Sequence, residues 1–143
     1  MAKQMIKLFK AIEFAKEAHK GQKRKGTREP YYFHCLRVCY ILQNIGIEDE
    51  ELLCAAILHD IIEDTACKHD CVKREFGKRV ADLVQDVTNQ ENKKPVLNTK
   101  EGTLIKLADM LDNLKNNTNK RYIGKKKELI LEILAKYAQT KNK

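Results

Sequence analysis

Residues 52–65 read LLCAAILHDIIEDT, an uninterrupted apolar run that ends by presenting His59, Asp60, Glu63 and Asp64 within six positions. The first half is built for burial, and the acidic EDEE at 48–51 ahead of it suits the first turn of a helix, where the dipole favours negative charge. A buried charge without a partner is costly, so the second half calls for a counter-charge from elsewhere in the chain. On one continuous helix His59 and Glu63 lie a turn apart, as do Asp60 and Asp64. All four side chains are then expected to face one cleft.

Working outward, helical periodicity recurs almost everywhere. Met5, Ile6, Phe9, Ile12 and Ala15 repeat at helical spacing between lysines and glutamates, which predicts an amphipathic helix over 3–20 with that stripe turned to the core. Glu13 and Glu17 argue against a membrane-surface role for it. Residues 21–30 form a basic loop, 32–45 a second helix ended by NIG, and the run described above a third. A short helix around 70–76 stops at Gly77, KRVADLVQDVTN makes another, GTLIKLADMLDNL resumes the period, and 125–138 forms a last helix. Polar residues 89–100, with Pro95 and Asn98, read as a loop. No internal repeat, period-two strand or dividing linker is apparent. The expected fold is all-α, a helical bundle forming one domain over residues 1–143.

The 143 residues suffice for a core without staples, and 43% hydrophobic with 34% charged residues, no Trp, two Pro and six Gly suits a helical protein. No apolar run approaches the ~20 residues of a membrane span, and the N-terminus lacks a secretory signal, so the expected location is the cytoplasm with no membrane partner. The net charge of +8 points to an anionic partner. The basic clusters KGQKRKGTR and GKKKE carry no interleaved aromatics, which reads as solvated surface or a phosphate-binding loop rather than a nucleic-acid interface. Five cysteines, at 35, 39, 54, 67 and 71, include two CxxxC pairs, the second flanking His69. They read as reduced, partly buried thiols rather than a thiolate zinc site.

His59 and Asp60 are ordinary ligands for a divalent metal, but neighbours on one helix cannot surround an ion. His34, just after PYYF, and Asp109, which interrupts LIKLADML, sit in equally apolar surroundings and are the candidates to complete the set. A His-plus-carboxylate site with open positions suits Mn²⁺, Fe²⁺ or Zn²⁺. Such an ion would neutralise the buried acids and activate water.

A distant His, a His-Asp pair and a later Asp together resemble the HD superfamily of metal-dependent phosphohydrolases. More closely, AIEFAKEAHKGQKRKGTREPYYFH, CAAILHDIIEDT, FGKRVADLVQDVT and IKLADMLDNL resemble, in order and spacing, the hydrolase domain of Rel/Spo-type enzymes, over about residues 8–117. The resemblance implies a stand-alone small hydrolase that uses Mn²⁺ to remove the 3′-pyrophosphate of the guanosine alarmones ppGpp and pppGpp. It implies His34, His59, Asp60 and Asp109 as the Mn²⁺ ligands and Glu63 and Asp64 as the pair that orients and deprotonates the attacking water. It implies Arg24 and Lys25 as a loop that packs on the nucleotide and contacts phosphate, and Asn113 as a nucleotide contact. A guanidinium that stacks on a base and an ammonium that pairs with phosphate fit those roles. Lys106, one turn before Asp109, faces the same cleft or makes a structural ion pair. His19, in the matched AHKGQ, is read as structural.

Met110 stands where the family usually carries a basic residue, the loop 89–100 is shorter than its counterpart, and the match fades beyond Asn116. Two other readings share the fold. One is a phosphohydrolase for an adenosine alarmone or NADPH, and the other is a nucleotide sensor without turnover. Intact His34, His59, Asp60, Glu63, Asp64 and Asp109 argue against the sensor. The sequence leaves the oligomeric state open.

Overall fold

In the computed structural model, residues 2–24, 26–88, 99–115 and 120–141 are described, and they contain eight helices and no strand beyond an isolated bridge between Lys23 and Pro30. The helices are α1 (Ala2–Ala18), α2 (Tyr32–Asn44), α3 (Glu50–Ile57), α4 (Ile61–Asp64), α5 (His69–Phe76), α6 (Lys78–Val87), α7 (Lys100–Lys115) and α8 (Lys120–Lys141). The expected all-α bundle is what forms.

α3 is the axis of the bundle. Every residue from Leu52 to Leu58 is buried, and α1, α2, α6 and α7 pack around it. A helix that is apolar on all sides is stable only when enclosed in this way. Its start is fixed by Asp49, whose carboxylate accepts from the amides of Glu51 and Leu52 at 3.1 and 3.3 Å, and by Glu50 and Glu51 in the first turn. Asp49 also pairs with Arg79 of α6 at 2.6 Å, so the cap ties two helices together. α5 ends where expected, at Gly77, whose φ of 96° lies in a region that side chains disfavour.

Three expectations need correction. On α1 the core face is carried by Ala11 and Ala15, with Leu8, Ile12, Phe14 and Ala18 partly buried beside them, whereas Ile6 and Phe9 are 66% and 59% exposed. The helix packs against α3, and among its described side chains the fully buried ones are the small Ala11 and Ala15, while the larger Ile6 and Phe9 face solvent.

The helix expected to run on through residue 64 is broken after Ile57. His59 turns its own Nδ1–H onto the carbonyl of Ala56 at 2.7 Å, taking the acceptor that the amide of Asp60 would use in a continuous helix. Leu58 and Asp60 sit near φ −93°, ψ 7° and φ −100°, ψ 1°, and a one-turn helix, α4, restarts at Ile61.

The cysteines are also not all thiols. Cys67 and Cys71 are joined in a disulfide, while Cys35, Cys39 and Cys54 are free and buried. Cys67 precedes α5, so it and Cys71 bracket that helix's first turn. Burial pushes the thiols of Cys35 and Cys54 up to about 12 and that of Cys39 to about 11, which makes them inert packing groups. Most of the expected loop at 89–100 lies outside the described residues.

Candidate metal centre

The break after α3 has a direct chemical result. On a regular helix, neighbouring side chains diverge by about 100°. In the turn at 58–60, His59 Nε2 instead lies 2.9 Å from Asp60 Oδ2, so both side chains point at one spot. α2 brings His34 to that spot and α7 brings Asp109. His34 Nε2 is 2.9 Å from Asp109 Oδ1 and 3.8 Å from Asp60 Oδ2, and His59 Nε2 is 3.2 Å from Asp109 Oδ1. One ligand atom from each of His34, His59, Asp60 and Asp109 can be chosen so that all four lie within 4.8 Å of one another.

The donor set fits a divalent cation, and the outer nitrogens of the imidazoles carry the test. His34 Nδ1 donates to the Asp112 carboxylate at 2.7 Å and His59 Nδ1 to the Ala56 carbonyl at 2.7 Å. Both partners are acceptors, so each Nδ1 carries hydrogen and Nε2 is the atom that each ring can offer a metal. Two imidazole nitrogens and two carboxylates, on three buried residues and the partly exposed Asp60, match Mn²⁺, Fe²⁺ or Zn²⁺ chemistry.

The charges respond to this crowding. Burial opposes charge on His59, but Asp60 and Asp109 outweigh it and hold the imidazole well above its usual range. Burial likewise opposes charge on Asp60 and Asp109. Attraction to His59, helped at Asp109 by a hydrogen bond from His34, keeps both carboxyls below the ordinary carboxylate range. Tyr31 donates its hydroxyl to Asp60 Oδ2, and burial beside that carboxylate pushes the phenol up.

Glu63 and Asp64 stand on α4 at the exposed edge of this cluster. Partial desolvation, then the charges of Asp60 and Glu63, raise the Asp64 carboxyl above its usual range. Gln22 donates from Nε2 to the Asp64 carbonyl at 3.2 Å and holds His19 Nδ1 at 2.9 Å. His19 is thereby a buried group that ties the basic loop to α4, consistent with a structural part.

With that arrangement in view, comparison with known proteins is decisive, because the HD domain family profile matches residues 11–143. The chain belongs to the HD-domain family. Among its relatives, the guanosine-3′,5′-bis(diphosphate) 3′-pyrophosphohydrolase MESH1 of Drosophila melanogaster is 38% identical over 123 residues, covering 77% of this chain and 69% of that protein. The guanosine-3′,5′-bis(diphosphate) 3′-pyrophosphohydrolase of Aquifex aeolicus is 43% identical over 120 residues, covering 74% of this chain but only 17% of that protein. A solved structure of a metazoan ortholog of SpoT that hydrolyzes ppGpp superposes with a TM-score of 0.73 at 30% identity, over 94% of this chain and 84% of that one.

In this HD domain the other expected contacts gather around Asp109. Asn113 donates from Nδ2 to Asp109 Oδ1 at 3.2 Å and accepts from Arg24 at 3.0 Å, so Arg24 and Asn113 meet beside the cluster. Lys106 pairs with Asp109 Oδ2 at 3.5 Å, with both side chains about a tenth exposed, so it makes an ion pair with a residue of the cluster itself. Lys25 lies outside the described residues. Met110 is 1% exposed and belongs to the core rather than to the cleft.

Sequence reasoning missed Tyr31, Asp112 and the pair Arg37–Glu29. A signal for two of them was available: Arg37 follows His34 by three residues and Asp112 follows Asp109 by three. A charged residue one turn from each buried residue of the cluster marks a group aimed at that residue's surroundings.

Proposed function

We propose that this chain is a Mn²⁺-dependent 3′-pyrophosphohydrolase of guanosine 3′,5′-bis(diphosphate) and its triphosphate analogue, with residues 1–143 acting as one catalytic domain in the cytoplasm. The observation that carries the reading is the convergence of His34, His59, Asp60 and Asp109 on one buried point, with Glu63 and Asp64 at its open edge. The family membership and the activities named for its relatives support the choice of substrate.

In this reading His34, His59, Asp60 and Asp109 hold the cation. When bound, it supplies positive charge to phosphate oxygens and makes a water easier to deprotonate. Glu63 and Asp64 hold that water, and a carboxyl raised above its ordinary range, as that of Asp64 is, suits a proton acceptor working near neutral pH. Water adds to the phosphorus attached to the 3′-oxygen, the bond to that oxygen breaks, and the nucleoside 3′-hydroxyl takes up a proton as intact pyrophosphate departs. Arg24, with Lys25, grips the nucleotide, its guanidinium set beside the cleft by Asn113.

Incubation with Mn²⁺ and ppGpp in ¹⁸O-water should yield GDP and pyrophosphate, with the label in pyrophosphate alone. Orthophosphate as the product would overturn the one-step mechanism. Pyrophosphate released only from an adenine nucleotide would keep the mechanism and change the substrate.

A further inference from the structure

An imidazole that presents one nitrogen to a cation carries its hydrogen on the other, and the partner of that second nitrogen sets the ring's angle. His59 uses its own main chain for this. His34 uses a side chain from another helix, Asp112 on α7, at 2.7 Å. Asp112 is itself held at both oxygens. Its side chain is 2% exposed, Oδ2 receives His34, and Oδ1 receives Arg37 Nε at 2.7 Å. Arg37 then spends its two terminal nitrogens on Glu29, at 3.0 and 2.7 Å. Glu29 sits in the basic loop, where its carbonyl accepts from the amide of Arg24 at 2.9 Å. An unbroken line of hydrogen bonds therefore runs from the loop that carries Arg24, through Glu29, Arg37 and Asp112, to the outer nitrogen of His34.

We infer that Asp112 is a positioning residue: clamped by Arg37 against Glu29, it fixes His34 with hydrogen on Nδ1 and aims Nε2 into the cation site. The inference rests on the proposed metal centre. A carboxylate suits the task because it can only accept, so it admits one tautomer of His34. An asparagine of the same shape could offer its amide hydrogens to Nδ1 and stabilise the opposite tautomer, with hydrogen on the metal-facing nitrogen. Arg37 locks the carboxylate from the side away from the ring, and a bidentate guanidinium–carboxylate pair gives that lock a defined direction.

The test compares wild type with Asp112→Asn by Mn²⁺ titration of the metal-free proteins, and by ¹⁵N long-range spectra of the His34 ring in the Zn²⁺-loaded forms. Metal affinity should fall by ~10–100-fold in the variant, and the His34 signals should leave the Nδ1–H pattern of the wild type. Asp112 as only a bridge between α2 and α7 predicts a lower melting temperature with unchanged affinity and an unchanged ring pattern, and that result overturns the inference. Should Asp112→Asn fail to fold, Arg37→Gln serves instead, because it frees one oxygen of Asp112 while leaving the His34 contact in place. It should weaken Mn²⁺ binding by a smaller factor, and unchanged affinity there overturns the inference equally. Failure of the wild type to bind Mn²⁺ would remove the metal centre itself, an outcome distinct from equal binding by wild type and variant.

Discussion

At Asp64, partial desolvation and the charges of Asp60 and Glu63 hold the carboxyl above its ordinary range. A carboxyl raised in the folded state binds its proton more readily there than in the unfolded chain. It therefore favours folding at low pH and loses that contribution as pH rises through its folded value. At neutral pH the ionised group opposes the fold, which is the expected condition of a proton acceptor kept for function. Asp64→Asn should accordingly melt at a higher temperature than wild type when both are metal-free at pH 7. The difference should vanish below the ordinary carboxylate range, where Asp64 is protonated in both states. Turnover should fall by ~10²–10⁴-fold, with metal content unchanged. A variant that is less stable at neutral pH would contradict the electrostatic account. The proposed ligands should behave oppositely: His59→Ala and Asp109→Ala should each lose Mn²⁺ occupancy by elemental analysis, and full occupancy in both would remove them from the site.

At the scale of elements, the apolar run 52–58 declared a buried helix because nothing polar interrupts it, and α3 is that helix. The end of α3 was hidden for the same reason. Leu58–His59–Asp60 contains neither Gly nor Pro, and the helix stops because an imidazole captures the Ala56 carbonyl, a contact that periodicity does not register. The face of α1 was misjudged because Ile6 and Phe9 outweigh alanines in any reading of hydrophobicity, while it is Ala11 and Ala15 that are buried. The start of α3 was legible in its acids, and it offers a test. Asp49→Ala removes the cap and both contacts to Arg79. The cap alone is worth ~1 kcal/mol, and the exposed ion pair adds less than ~1 kcal/mol. Denaturant titration should therefore show a loss of ~1–2 kcal/mol, with metal affinity preserved because Asp49 lies at the end of α3 remote from His59.

Over the whole molecule, the four residues of the proposed cation site stood out in the sequence because each interrupts or ends an apolar stretch, where burial makes a lone charge untenable. Asp112 and Arg37 showed only their one-turn spacing from Asp109 and His34, because their value lies in contacts across about 75 residues of chain that only the packing of α2 against α7 creates. The distribution of charge leads to a last prediction. The chain carries 28 Lys and Arg against 20 Asp and Glu, a net +8, although the proposed site is itself built from acids. A polyanionic nucleotide is thus attracted from a distance by the surface and meets carboxylates only at contact, where a bound cation offsets them. Attraction over distances beyond the Debye length, ~8 Å at physiological ionic strength, is lost to screening, whereas contacts inside a buried site are screened much less. Raising KCl from 50 to 500 mM at saturating Mn²⁺ should therefore lower kcat/KM severalfold through KM, with kcat nearly constant. The same titration on a variant with the exposed Lys125 and Lys127 changed to glutamine should start from a lower kcat/KM and show a shallower salt dependence. Equal slopes for the two proteins would mean that the net charge plays no part in encounter and that recognition is confined to the cleft around Arg24 and Asn113.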